Sequence, residues 1–125
     1  MADTADSNAT FAKIIAGAPT RSHKAGETIF RAGEPGFEAF LVKAGTVELR
    51  AEDRLLESVG PEGLFGEMAL IDGWARSATA VAATDVELAV LSERQFLSFI
   101  AIKPHFAFGI MRVLAQRLRK TTSGA

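Results

Sequence analysis

Glu67 and Arg76, an acid and an arginine nine positions apart, are the residues whose types and spacing bear most directly on chemistry in this chain. They lie in the segment Gly60 to Ala80, GPEGLFGEMALIDGWARSATA, where glycines at 60, 63 and 66 precede a short helix read over Glu67 to Ile71. Glycines there let a backbone approach a ligand closely, and the N–H groups and positive dipole of a helix start favour an anion. Arg76, beyond the turn at Gly73, offers a planar fork to the same phosphate. An ionised Glu67 can only accept hydrogen bonds, so its natural partner is a hydroxyl donor on the ligand. A sugar phosphate carries both groups. Taken singly, each residue also has a plainer reading, with Glu67 complementing a helix N-terminus and Arg76 serving as a surface turn cation.

Other chemistries find little support. The chain has no cysteine, which removes disulfides, thiolate zinc sites and cysteine nucleophiles. Its two histidines, His23 and His105, are far apart and belong to no His-x-His or H-E-x-x-H pattern, so no metal is expected. There is no G-x-S-x-G elbow, and G-x-x-x-x-G-K-[ST] is absent from a segment that contains no lysine at all. No enzymatic activity is expected. With 14 basic and 15 acidic residues, the net charge of -1 gives no global field for nucleic acid or anionic lipid. The one basic cluster, Arg112, Arg117, Arg119 and Lys120, reads as the solvated face of a terminal helix.

The elements that position the segment follow from length and punctuation. At 125 residues, 48% of them hydrophobic, the chain fits one domain, read as residues 11–125 behind a disordered polar tail at residues 1–10. Phe11 to Ala16 reads as a short N-terminal helix ended by Pro19. From Ala25 onward, frequent glycine and proline divide the sequence into strand-length runs: Thr28 to Phe30, Ala39 to Lys43, Thr46 to Arg50, Leu55 to Val59, Ala78 to Ala82 and Val86 to Leu91. Thr46 to Arg50 alternates cleanly, as a half-buried antiparallel strand does, and Gly45 is expected to join it to the preceding run as a hairpin. Such spacing favours a β-sandwich, roll or barrel. Ser92 with Gln95 forms a capping box that opens a helix, and Pro104 stops it and starts another. In that last helix Phe106, Ile110, Val113, Leu114 and Leu118 form the apolar stripe, opposite Arg112, Gln116, Arg119 and Lys120. Phe106, Ile110 and Val113 are the residues through which a weak homodimer would form, the alternative being a monomer. The N-terminus lacks a basic and apolar signal segment, and no spanning helix is expected, so a cytoplasmic location without membrane insertion follows.

The run Phe65-Gly66-Glu67-Met68-Ala69-Leu70-Ile71, then Gly73 and Arg76-Ser77-Ala78, resembles the phosphate-binding cassette of cyclic nucleotide-binding domains. Ala25-Gly26-Glu27-Thr28-Ile29, Gly33-Glu34-Pro35-Gly36 and Lys43-Ala44-Gly45-Thr46-Val47 are similar to that family's early strands and turns, so the resemblance runs from about Ala25 to Lys120. It implies a mainly β, α+β fold: an eight-stranded antiparallel, jelly-roll-like β-roll with a short N-terminal helix, a cassette helix and two C-terminal helices. Crp-type regulators and protein kinase A regulatory subunits share this arrangement. By position, the resemblance implies that Arg76 pairs with the cyclic phosphate and Glu67 accepts from the ribose 2'-OH. Backbone groups around Gly66, Met68 and Ala69 would complete the cradle, with Ser77 beside phosphate or base. Thr121 or Thr122 is the candidate base cap. Trp74 and Ala75 stand where the family often has a small polar residue and proline, which leaves the shape of the turn before Arg76 open.

The ligand so implied is cAMP, with cGMP second; Ser77 is compatible with either base and does not set that order. The 125 residues leave no room after Lys120 for a helix-turn-helix, so direct DNA binding is not expected. The chain reads as a sensor module that relays ligand binding through its C-terminal helices to a protein partner or a missing effector domain. The relay is expected to run from Leu70 to Phe96 and Phe99. The alternative is a ligand-free protein-interaction module built on the same roll.

Overall fold

The computed structural model of the chain describes Phe11, Lys13, Ile15 and residues 17–123, with side chains through residue 120. The tail expected at residues 1–10 lies outside the described residues. Phe11 and Lys13 are helical, and the Ile15 N–H donates to the Phe11 carbonyl at 2.9 Å, so a turn of the expected N-terminal helix is present.

Eight strands form two four-stranded antiparallel sheets. The first sheet has the order β1 (Thr20–His23), β8 (Val86–Ser92), β3 (Glu38–Ala44), β6 (Leu64–Phe65). The second has the order β2 (Thr28–Phe30), β7 (Thr79–Ala82), β4 (Val47–Ala51), β5 (Arg54–Val59). Helix α1 (Met68–Asp72) leads from β6 to β7, and α2 (Glu93–Ile102) and α3 (Pro104–Ser123) follow β8. This is the jelly-roll-like architecture expected.

The central strands of the first sheet, β3 and β8, are buried on both faces, which explains their nearly unbroken apolar runs. Phe40 and Val42 of β3, with Val86, Leu88 and Val90 of β8, enter the core against Val47, Val59, Ala80 and Ala82 of the second sheet. The alternate residues Ala39, Leu41, Ala89 and Leu91 face the helices and pack with Phe11, Leu70, Phe96, Phe106 and Ile110. Three aromatic rings, Phe30, Phe40 and Phe65, lie with centroids 5.2–6.1 Å apart in the inner core.

The capping box at Ser92 forms, with the Gln95 N–H donating to Ser92 Oγ at 3.2 Å. The Gly45 hairpin does not. β3 pairs with β8 and β6, whereas β4 pairs with β7 and β5, so Gly45 carries the chain from one sheet to the other. The β7–β8 connection makes the same crossing alongside. The Thr46 N–H donates to Thr84 Oγ1 at 3.1 Å, the Ala83 N–H donates to the Thr46 carbonyl at 2.9 Å, and a Cβ at Gly45, whose φ is +88°, would lie 2.2 Å from the Asp85 carbonyl.

The apolar stripe of α3 is shorter than expected. Phe106 and Ile110 are buried and Val113 and Leu114 half-buried, but Leu118 is 68% exposed. Phe106 and Ile110 are therefore committed to the chain's own core and are not available as a dimer face. The large apolar side chains of α3 that are mostly exposed are Phe108, Met111 and Leu118. Among the described residues no single helix is long and apolar enough to cross a membrane.

Candidate functional site

Gly66 connects the two-residue strand β6 to α1, and its position requires glycine. Its φ of +83° lies in the left-handed region, and a Cβ there would sit 3.0 Å from Arg76 Nη1. The chain then turns immediately into α1, which Gly73 closes by donating its N–H to the Ala69 carbonyl at 3.0 Å. Glu67 occupies the N-cap position with helical dihedrals, and its side chain makes no capping bond. It is fully buried instead, with Oε2 accepting from Arg117 Nη1 of α3 at 2.5 Å. The helix-complementing reading of Glu67 thus fails: the carboxylate points into the protein.

Arg117 was expected on the solvated face of the last helix. In the structure its side chain is only 18% exposed and is wedged between two acids. Nε donates to Glu57 Oε1 at 2.9 Å and Nη2 to the Leu64 carbonyl at 2.8 Å, in addition to the bond with Glu67. Burial opposes its charge, but Glu67 and Glu57 outweigh that and hold its pKa above the ordinary arginine value. The signal was present in the helical periodicity: Phe106, Ile110, Val113 and Arg117 recur at intervals of four, three and four, so Arg117 continues the buried stripe where Leu118 leaves it.

Arg76 is 7% exposed, so it is no surface turn cation. Nη1 donates to the Gly66 carbonyl at 2.7 Å and Nη2 to the Glu38 carbonyl at 2.8 Å, while the Phe30 ring covers the guanidinium at 4.0 Å. Burial lowers its pKa, against the opposing fields of Glu38, Glu67 and Glu34. Trp74, 77% exposed, donates its backbone N–H to Asp72 Oδ1. Residue 76 itself is tied to the β2–β3 loop by two backbone bonds, Arg76 N–H to the Glu34 carbonyl at 2.8 Å and Gly33 N–H to the Arg76 carbonyl at 2.9 Å.

These elements enclose a cavity of about 620 Å³ whose lining includes Gly66, Glu67, Met68, Ala69, Arg76 and Ser77 together. The volume suits a mononucleotide-sized ligand. Its remaining walls were not singled out from the sequence: Phe30 and Leu49, the β5 residues Arg54, Leu55, Leu56 and Glu57, and Arg117 and Lys120 of α3. A neighbouring hollow of about 520 Å³ shares Glu57, Arg117 and Lys120 with it. Thr121 and Thr122 fall in the last turn of α3, but their side chains lie outside the described residues.

Among the described residues, each charged anchor keeps one buried polar atom without a hydrogen-bond partner: Glu67 Oε1, an acceptor, and Arg76 Nε, a donor. Buried polar atoms are normally paired. A ligand that presents both a hydroxyl donor and an anionic acceptor has the chemistry to complement such a pair. Among the described residues, no group of three or more His, Cys, Asp or Glu is arranged to hold a metal ion.

The sequence profile of the cyclic nucleotide-binding domain matches residues 20–103. The chain is 35% identical over 103 residues to a CRP-like cAMP-activated global transcriptional regulator of Mycobacterium tuberculosis, covering 78% of this chain and 46% of that protein. It is 39% identical over 105 residues to the cyclic AMP receptor protein of Thermus thermophilus, covering 80% and 49% respectively. The crystal structure of the Thermus thermophilus catabolite activator protein superposes with a TM-score of 0.81 at 34% identity, over 91% of this chain and 56% of that one. The chain thus spans about half the length of the curated relatives it matches.

Proposed function

Since the chain belongs to the cyclic nucleotide-binding domain family, we propose that it is a cyclic nucleotide sensor module that passes ligand binding to a protein partner or effector domain through its C-terminal helices. The observation that carries this reading is the pairing of Glu67 and Arg76 in one cavity, both buried and each with a polar atom still unpartnered. Arg76 takes the cyclic phosphate and Glu67 Oε1 accepts from the ribose 2'-OH. The backbone around Gly66, Met68 and Ala69 completes the cradle, and Ser77 lies beside phosphate or base. Residues 11–125 act as one ligand-binding domain, without an enzymatic step of their own.

cAMP is the preferred ligand and cGMP the weaker one, in keeping with the cAMP-activated and cyclic AMP receptor relatives. Binding draws on two connections to the C-terminal helices. One is apolar, with Leu70 of α1 in the same cluster as Phe96 of α2 and with Phe99 packed against it. The other is ionic, from Glu67 to Arg117 of α3. A ligand moves these helices only by the difference in its affinity for their two arrangements. Output goes to a protein or an attached domain, in the cytoplasm. Phe108, Met111 and Leu118 are the exposed apolar residues of α3 through which a partner or a second copy in a weak homodimer would engage it.

Calorimetric titration of cAMP and cGMP tests this directly. Saturable binding with cAMP tighter is the expected result, and heat-silent titrations with both nucleotides would leave the ligand-free interaction module in its place.

A further inference from the structure

We propose that Gly36, in the loop between β2 and β3, is a positioning residue for Arg76: the missing side chain makes the slot in which the guanidinium is held. The proposal rests on the reading of Arg76 as the phosphate anchor and adds a residue to that site from a loop outside the cassette. The loop sequence Gly33-Glu34-Pro35-Gly36 contains two glycines with different duties. Gly33 has a φ of +91° and open space around it, so it is there for the turn. Gly36 is not among the residues of positive φ, so its backbone would accept another residue; what it lacks is room. A Cβ at Gly36 would lie 2.6 Å from Arg76 Nε, 2.7 Å from Arg76 Cζ and 2.7 Å from the Ala69 Cβ.

Non-bonded contacts of this kind settle at about 3.5–4.0 Å, so a side chain here displaces its neighbours by roughly 1 Å. Neither neighbour yields without consequence for the site. Ala69 belongs to α1, and Arg76 is fixed by the Gly66 and Glu38 carbonyls and covered by Phe30. The loop is also bonded to residue 76 at both its N–H and its carbonyl, so the loop and the arginine hold position together. Gly36 thereby sets where the guanidinium stands relative to Glu67 in the cavity. Hydrogen bonds weaken steeply as geometry departs from ideal, which makes the anchor sensitive to such a shift.

The test reads cAMP affinity by calorimetry for Gly36→Ala in the parent chain, together with a double-mutant cycle in urea denaturation that compares Gly36→Ala in the parent and in an Arg76→Ala background, where the Nε and Cζ that meet residue 36 are gone. The expected result is at least a tenfold loss of cAMP affinity from Gly36→Ala in the parent, and a fall in the urea midpoint that is smaller in the Arg76→Ala background than in the parent, the Ala69 contact remaining in both. No loss of affinity in the parent, or the same fall in midpoint in both backgrounds, overturns the proposal. A second readout needs no ligand. The Nε–H resonance of Arg76, identified by its disappearance in Arg76→Lys, is expected to be protected from solvent exchange in the parent and exchanging in Gly36→Ala. An unchanged resonance overturns the positioning role. If the parent binds neither cyclic nucleotide, the sensor reading fails, and the urea cycle and this resonance decide the role of Gly36. If Gly36→Ala does not fold, recovery of folding in the Arg76→Ala background supports the same contact, and failure in both backgrounds overturns it.

Discussion

Arg117 of α3 and Glu67 at the head of α1 form an ion pair at 2.5 Å although fifty residues separate them, and the same guanidinium reaches Glu57 of β5 and the Leu64 carbonyl. The acid proposed to read the ribose is thereby fastened to the last helix of the fold. Ligand chemistry and helix position share one side chain.

Removing Arg117 leaves a fully buried Glu67 without its counter-charge. Breaking a buried pair from one side typically costs about 3–5 kcal/mol, and the partial exposure of Arg117 and Glu57 places this case near the low end. Arg117→Ala is expected to lower the unfolding free energy by about 3 kcal/mol in urea denaturation. A loss below about 1 kcal/mol would show that the pair behaves like a surface contact.

Burial lowers the pKa of Arg76, yet arginine starts so high that it keeps its proton at any ordinary pH. Lysine starts lower, and the same desolvation pushes it down toward working conditions. The sign follows: a depressed base loses its charge as pH rises. In Arg76→Lys, cAMP affinity is expected to fall as pH goes from 7 to 9.5, while the parent stays flat over that range; parallel profiles for the two proteins would contradict the burial argument.

Gly109 sits in the interior of α3, where alanine would ordinarily gain about 1 kcal/mol of helix propensity. Here a Cβ would lie 2.8–2.9 Å from the ring of Phe11, which is fully buried and packed edge-on against Phe106. Overpacking of this kind costs about 1–3 kcal/mol, so Gly109→Ala is expected to destabilise despite its propensity. Equilibrium denaturation of Gly109→Ala, with Phe11→Leu as the relieving second substitution, measures it, and a stabilised single variant would contradict the contact.

If the relay runs through Leu70 and Arg117, saturating cAMP should slow amide exchange in residues 68–72 and alter it across residues 93–120. Leu70→Ala is expected to retain binding while shrinking the response in α2. Exchange in residues 93–120 that is indifferent to ligand would sink the relay, whatever the affinity.

The cassette was legible because its parts are close in sequence: Gly66, Glu67 and the turn to Arg76 carry their meaning within a dozen residues. Six strands were legible for the same reason, each a short apolar run between turn residues. β1 was not, since Thr20-Arg21-Ser22-His23 has no apolar residue and is held as an edge strand by its register with β8. β6 is only Leu64 and Phe65, squeezed between Gly63 and Gly66. The Gly45 crossing was misread as a hairpin because a turn residue reveals that the chain bends, not which strand it meets next. Arg117 was misread because its partners lie fifty and sixty residues away. The β5 wall of the cavity was missed for the same cause: Leu55 and Leu56 acquire their role only when β5 reaches the cassette.

The unfolding temperature with cAMP, cGMP, 5'-AMP and no ligand, on the parent and on Arg76→Ala, tests the central claim most directly. A cyclic nucleotide at a hundred times its dissociation constant adds about 2.7 kcal/mol, a rise on the order of 10 °C for a chain of this size. The account predicts that rise with cAMP, a smaller one with cGMP at equal concentration, none with 5'-AMP, and none at all in Arg76→Ala. A parent whose unfolding temperature ignores both cyclic nucleotides, or an Arg76→Ala variant that responds as the parent does, would contradict it.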